Sequence, residues 1–192
     1  MTVGIKSQVN AHAWEREANE HYVEPEWCSR RLFEAEHFEG QIWDPCCGFG
    51  TVISSAIAAG HNAYASDIIE RKKGTCDEIA DFLACTDQCA APNIVCNPPF
   101  NIADRFAAHA LRLAATRKVA MIFPTARLNA AHWLRGTPLL RVWLMTPRPS
   151  MPPGHVIERG IKPSGGKMDF CWLIWARDHC ETAELCWLRR DK

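Results

Sequence analysis

Short, nearly unbroken apolar runs alternate with longer segments of helical period along this chain. The runs are QIWD (41–44), NAYASDII (62–69), NIVC (93–96), KVAMIFP (118–124), LRVWLMT (140–146) and DFCWLIWAR (169–177). Between them, CSRRLFEAEHF (28–38), TVISSAIAAG (51–60), NIADRFAAHALRLAATR (101–117) and ARLNAAHWLRG (126–136) carry helix-like patterns, with Gly60 and Gly136 as stops. The first twenty residues suit a loose arm or a helix around 13–20, and IADFLAC (79–85) suits a strand or a helical turn. Apolar strands alternating with helices predict an α/β fold, a parallel sheet covered on both faces. The last two runs are joined by residues 147–168, a 22-residue loop with five prolines and four glycines. With no helix expected there, that end of the sheet is expected to hold one antiparallel strand.

A chain of 192 residues, 47% hydrophobic and 23% charged, suits one packed domain. No run approaches the roughly 20 apolar residues of a membrane span, so no membrane partner is expected. MTVGIKSQVNAHAWERE lacks the pattern of a signal peptide. Ten cysteines sit mostly in apolar segments without a CxxC, as buried thiols in a reducing cytoplasm do. The gaps among Cys76, Cys85, Cys89 and Cys96 are not those of a zinc finger or ribbon, so no metal is expected. Charge is uneven. Residues 1–100 carry 7 Lys and Arg against 15 Asp and Glu, and residues 101–192 carry 15 against 7. Either the later half faces a polyanion, or the two signs mix on the folded surface.

Ligands of open α/β sheets sit beyond the carboxyl ends of the strands. Three strand ends carry residues suited to that. Asp44-Pro45-Cys46-Cys47-Gly48-Phe49-Gly50 is a glycine turn leading into a helix. Asp67, 23 residues after Asp44, ends the next strand, where an acid can accept two ribose hydroxyls or simply meet solvent. NIVC then runs into Asn97-Pro98-Pro99-Phe100. Proline cannot continue a central strand. The turn offers an amide oxygen and a fixed backbone carbonyl beside a flat ring, a set suited to a planar amine. A proline-capped strand with a core Phe has the same residue types.

DPCCGFG, SD and NPPF, in this order and spacing, resemble class I S-adenosylmethionine-dependent methyltransferases that act on an amino nitrogen, above all those methylating adenine N6 in DNA. The resemblance covers about residues 22 to 177. YVEPEW, PRPSMPPG and DFCWLIW are similar to stretches of small phage and prophage methyltransferases. It implies a Rossmann-like sheet of seven strands with one antiparallel strand near the C-terminus. It implies one catalytic domain over 1–192, with 1–21 as a flexible arm, 147–168 as a substrate-side loop and no separate target-recognition domain. The cofactor implied is S-adenosyl-L-methionine. Asp44, Pro45, Cys46, Gly48 and Gly50 correspond to the loop around its methionine part, and Asp67 with Ile68 to the ribose site. Asp81 and Phe82 correspond to the adenine site, and Tyr22 and Pro25 to the motif that closes over the cofactor. Members usually have Thr where Glu24 stands, and small residues at Cys46 and Cys47.

The catalytic set implied is Asn97, Pro98, Pro99 and Phe100, with Asn97 also beside the cofactor and Phe100 stacking on the base. Arg148, Arg159, Lys162 and Lys167 are expected to grip phosphates. The expected partner is nucleic acid, most readily DNA. RNA bases, protein glutamine amides, or a non-catalytic cofactor-binding role in a larger complex are the competing readings. The sequence does not reveal the oligomeric state.

Overall fold

The computed structural model describes residues 21–86, 91–113, 116–161 and 165–191. The helix expected near 13–20, nearly all of the expected arm and Lys162 lie outside these residues. Eight strands form one sheet in the order β3-β2-β1-β4-β5-β7-β6-β8. They are β1 (Ile42–Asp44), β2 (Ala63–Asp67), β3 (Glu78–Ile79), β4 (Asn93–Cys96), β5 (Lys118–Pro124), β6 (Leu139–Thr146), β7 (Phe170–Ala176) and β8 (Glu184–Arg189). The pairings from β3 through to β5 are parallel, β7 is antiparallel to β5 and β6, and β8 is again parallel to β6.

The eighth strand corrects the expected seven. In β8 only Leu188 is buried, while Leu185 and Trp187 lie 56% and 57% exposed. Such an edge strand has neither the buried run nor the clean alternation that marks a strand in sequence.

The side chains of β5 alternate between two cores. Ala120 and Ile122 face a cluster with Leu32 and Phe33 of helix α1 (Glu26–Ala35) and Val52 and Ala56 of helix α2 (Thr51–Ala58). Val119, Met121 and Phe123 face Phe106 and Ala110 of helix α3 (Ala103–Arg112) on the other side. Helices therefore cover both faces, as a sheet with two buried faces requires. Trp172 and Trp175 are fully buried in β7, and their indole N–H groups donate to Cys28 O at 3.1 Å and Thr137 Oγ1 at 3.0 Å.

Two expected elements differ. Residues 126–136 are not an α-helix but tight turns over Thr125–Ala130 and His132–Leu134. Trp133 packs against Phe123 and Trp175 at ring-centroid distances of 5.9 and 6.1 Å, so this docking overrides helix propensity. The long loop 147–168 contains a short helix, α4 (Gly154–Glu158). It is tied back to the start of the described chain: Val23 N–H donates to Pro152 O and Gly154 N–H to His21 O, both at 2.9 Å.

Some of the charge asymmetry is offset by ion pairs between the two halves. The Glu36 carboxylate, with a side chain 2% exposed, is met by Lys118, Arg141 and the Trp143 indole. Burial pushes its pKa up, but these donors together hold it below the usual carboxylate value. Arg30 and Arg31 pair with Asp191 in the same cross-chain way.

Candidate active site

The strand order reverses between β1 and β4, and a cavity of about 190 Å³ opens beyond the carboxyl ends of β1, β2 and β4. Asp44, Asp67 and Asn97 reach it because each stands at or just past the end of its strand. Of the predicted residues, Tyr22, Asp44, Pro45, Cys46, Gly48, Asp67, Ile68, Asp81, Phe82, Asn97 and Pro99 line this one cavity. The residues that the sequence spreads over three strand ends thus converge on one volume.

The glycine turn is shaped by what surrounds it. Gly48 has φ +54°, and its N–H donates to Asp67 Oδ2 at 3.0 Å. A Cβ there would stand 2.6 Å from His21 Nε2, so any other residue would be strained and would push on the His21 ring. Gly50, at φ +81°, caps the N-terminus of α2 rather than lining the cavity. Cys46 N–H donates to Asp44 Oδ1 at 3.1 Å, holding that carboxylate against the turn. Asp67 Oδ1 accepts from Ile69 N–H at 3.2 Å, and the Arg71 guanidinium approaches Oδ2 at 3.7 Å.

Asn97 is the centre of the arrangement. Its Nδ2 donates to Tyr22 O and to Glu24 Oε2, both at 2.7 Å. Its Oδ1 is buried and accepts nothing among the described residues. An unpartnered buried acceptor is costly unless a ligand satisfies it.

Electrostatics mark the same spot. Glu24 is 7% exposed, and burial pushes its pKa up to about 7 against the pull of its hydrogen bonds. Burial likewise raises Asp44 well above the usual carboxylate range, with the charges of Glu24 and Asp67 adding to it. His21 is driven down to about 4 by burial and by Arg71, so it is neutral at pH 7. The site therefore concentrates buried acids.

Other predicted residues lie outside the cavity. Pro25 stands at the N-cap of α1, and Pro98 is buried with no part in the cavity lining. The Phe100 ring stacks on Tyr22 (centroids 5.9 Å, interplanar angle 10°) and against Phe170 at 5.5 Å, beside the cavity rather than in it. Asp81 spends one oxygen capping its own turn, accepting from Leu83 N–H at 2.9 Å. Phe82 is wedged among Trp43, Phe106 and His109 and shows the cavity only an edge of the core. Arg159 and Lys167 are exposed, and Arg148 is held by Asp169 at 2.6 Å.

Sequence reasoning missed three residues. Glu24 stood out only as a departure from Thr. Arg71 sits in RKKG, which reads as a solvated turn. His21 precedes the motif at Tyr22. Their roles come from long-range packing, which spacing along the chain does not carry.

No protein-family model matches the chain, and no curated protein resembles it in sequence. Its fold, however, is that of class I S-adenosylmethionine-dependent methyltransferases. The M protein of the type I restriction enzyme EcoKI superposes with a TM-score of 0.56 at 12% identity, over 88% of this chain and 48% of that one. This chain thus spans about half the length of that subunit. The 23S rRNA methyltransferase ErmE gives 0.54 at 14% identity, over 79% and 68% of the two chains. Magnesium protoporphyrin IX methyltransferase from Synechocystis PCC 6803, solved with bound S-adenosylmethionine, gives 0.51 at 17%, over 77% and 74%.

Proposed function

We propose that the chain is an S-adenosylmethionine-dependent methyltransferase acting on an exocyclic amino nitrogen, namely N6 of adenine in DNA. One observation carries this reading: the buried, unpartnered Oδ1 of Asn97, held at the rim of a cavity that also contains the glycine turn.

The residues present fit the cofactor. The glycine turn at Gly48 lines the cavity, and the buried acids Glu24, Asp44 and Asp67 beside it suit a cationic ligand. Asp44 and the Cys46–Gly48 backbone would take its methionine part and Asp67 its ribose, whose carboxylate still has lone pairs free beyond its two N–H contacts. Ile68, Asp81 and Phe82 would flank its adenine. S-adenosylmethionine supplies a methyl group already activated on a sulfonium.

The protein's task is then alignment. Asn97 Oδ1 and the Pro98 carbonyl accept the two N–H bonds of the target amine. This favours a pyramidal nitrogen and exposes a lone pair otherwise delocalised into the ring. Positive charge grows on that nitrogen as it is methylated, and the two carbonyl dipoles stabilise it. The methylated ammonium is acidic, so it loses its proton without a strong base.

A duplex base has to flip out to reach this site. Phe100 would stack on it, a contact worth about 1–3 kcal/mol, once Tyr22 yields the ring face it covers. Arg159, Lys162 and Lys167 remain the proposed phosphate contacts of the 147–168 loop, with Arg148 partly neutralised by Asp169. We place this activity in one catalytic domain in the cytoplasm. The type I restriction M protein and the rRNA methyltransferase among the fold neighbours support a nucleic-acid acceptor. The test is transfer of labelled methyl from S-adenosylmethionine to DNA, RNA and protein in parallel. The reading expects adenine-containing DNA to be labelled and fails if RNA or protein alone is.

A further inference from the structure

The reaction above uses Asn97 but gives no work to Glu24, the buried acid hydrogen-bonded to it. Each Asn97 Nδ2 hydrogen has its own acceptor, the Tyr22 carbonyl and the Glu24 carboxylate. With both hydrogens held, Oδ1 is the only amide atom left to face the cavity. We propose that Glu24 is a positioning residue that fixes which way the Asn97 amide points, and that methyl transfer therefore requires Glu24 to be ionised. The inference rests on the proposed reaction only for its rate consequence.

The chemistry of the pair explains the dependence. A carboxylate is acceptor-only, so it can meet Nδ2 but not Oδ1. A protonated Glu24 carries an O–H, which can donate to Oδ1 if the amide turns over. That contact takes up the oxygen that the target amine needs.

The surroundings set when this happens. The charges of Glu24 and Asp67 make it harder to ionise Asp44, and among the described residues no ion pair reaches Glu24 to offset its burial. His21 is neutral, Arg71 is engaged with Asp67, and the Cys28 thiol on α1 and Cys96 on β4 are kept protonated by burial. Burial holds the Glu24 carboxyl near neutrality, with a pKa of about 7, so its charge changes within the working range.

The experiment follows the Asn97 side-chain ¹⁵N–¹H₂ resonances from pH 5 to 9 in the full chain, identified by their loss in Asn97→Ala. The proposal expects them to titrate with a midpoint near 7 and to be pH-independent in Glu24→Gln. It also expects log kcat to rise with unit slope on the acid side. Glu24→Gln should lower kcat about a hundredfold and abolish that limb, while Glu24→Asp should keep the limb and recover part of the rate. If the wild-type resonances do not titrate, or Glu24→Gln keeps the wild-type kcat and pH profile, the proposal is overturned. Titrating resonances in a protein that methylates no acceptor would uphold the amide switch and overturn the proposed function instead.

Discussion

Replacing Glu24 by Gln tests whether a burdened carboxylate sits where the structure puts it. Its pKa is raised from 4.5 to about 7 on folding, chiefly by burial. The folded protein therefore holds this proton more tightly than the unfolded chain does. The associated stability is fully present below pH 4.5 and is lost as pH rises through about 7. At about 1.36 kcal/mol per pKa unit, the loss amounts to about 3 kcal/mol. Asp44 is shifted in the same direction by burial, so the wild type should weaken further than this share alone. Urea unfolding without cofactor, repeated from pH 4.5 to 8.5, measures the slope. Glu24→Gln keeps the shape and removes the titration, so its stability should fall by about 3 kcal/mol less than that of the wild type over this range. Parallel pH dependences for the two proteins would refute the reasoning.

Three further outcomes follow from the same geometry. S-adenosylmethionine should bind more tightly at pH 8 than at pH 5, because its positive charge favours ionised Glu24 and Asp44; calorimetry in two buffers should also show net proton release. Gly48→Ala should weaken cofactor binding, since its Cβ meets His21 Nε2 at 2.6 Å in a left-handed turn, and titration calorimetry beside a thermal melt separates this from unfolding. Glu36→Ala, outside the cavity, takes one partner from Lys118 and Arg141 and the acceptor from the Trp143 indole, and should cost about 1–3 kcal/mol in chemical denaturation without changing cofactor affinity.

The sequence revealed those parts of the fold whose residues are buried for their own sake. β4, β5 and β7 are almost wholly buried, so their apolar runs announced them. β8 stayed hidden because an edge strand with exposed Leu185 and Trp187 buries only Leu188. Residues 126–136 misled because Trp133 docks on Phe123 and Trp175 through contacts distant in sequence. The site divides the same way. Asp44, Asp67 and Asn97 each stand at or just past the end of a strand, and strand ends are readable. The Glu24–Asn97 bond spans 73 positions, and Tyr22 stacking on Phe100 spans 78; neither leaves a trace in local pattern. Phe100 was legible as a bare ring after two prolines, but its place beside the cavity was not.

In the proposed reaction, Asn97 Oδ1 is the acceptor for the target amine. The most direct measurement is nucleoside mass spectrometry of DNA incubated with the protein and methyl-labelled S-adenosylmethionine. Labelled N6-methyladenine should accumulate with the wild type, and Asn97→Ala should reduce its rate about 10²–10³-fold while binding the cofactor nearly as well. Undiminished transfer by Asn97→Ala, or no label in any nucleic acid across a range of salt concentrations, would contradict it.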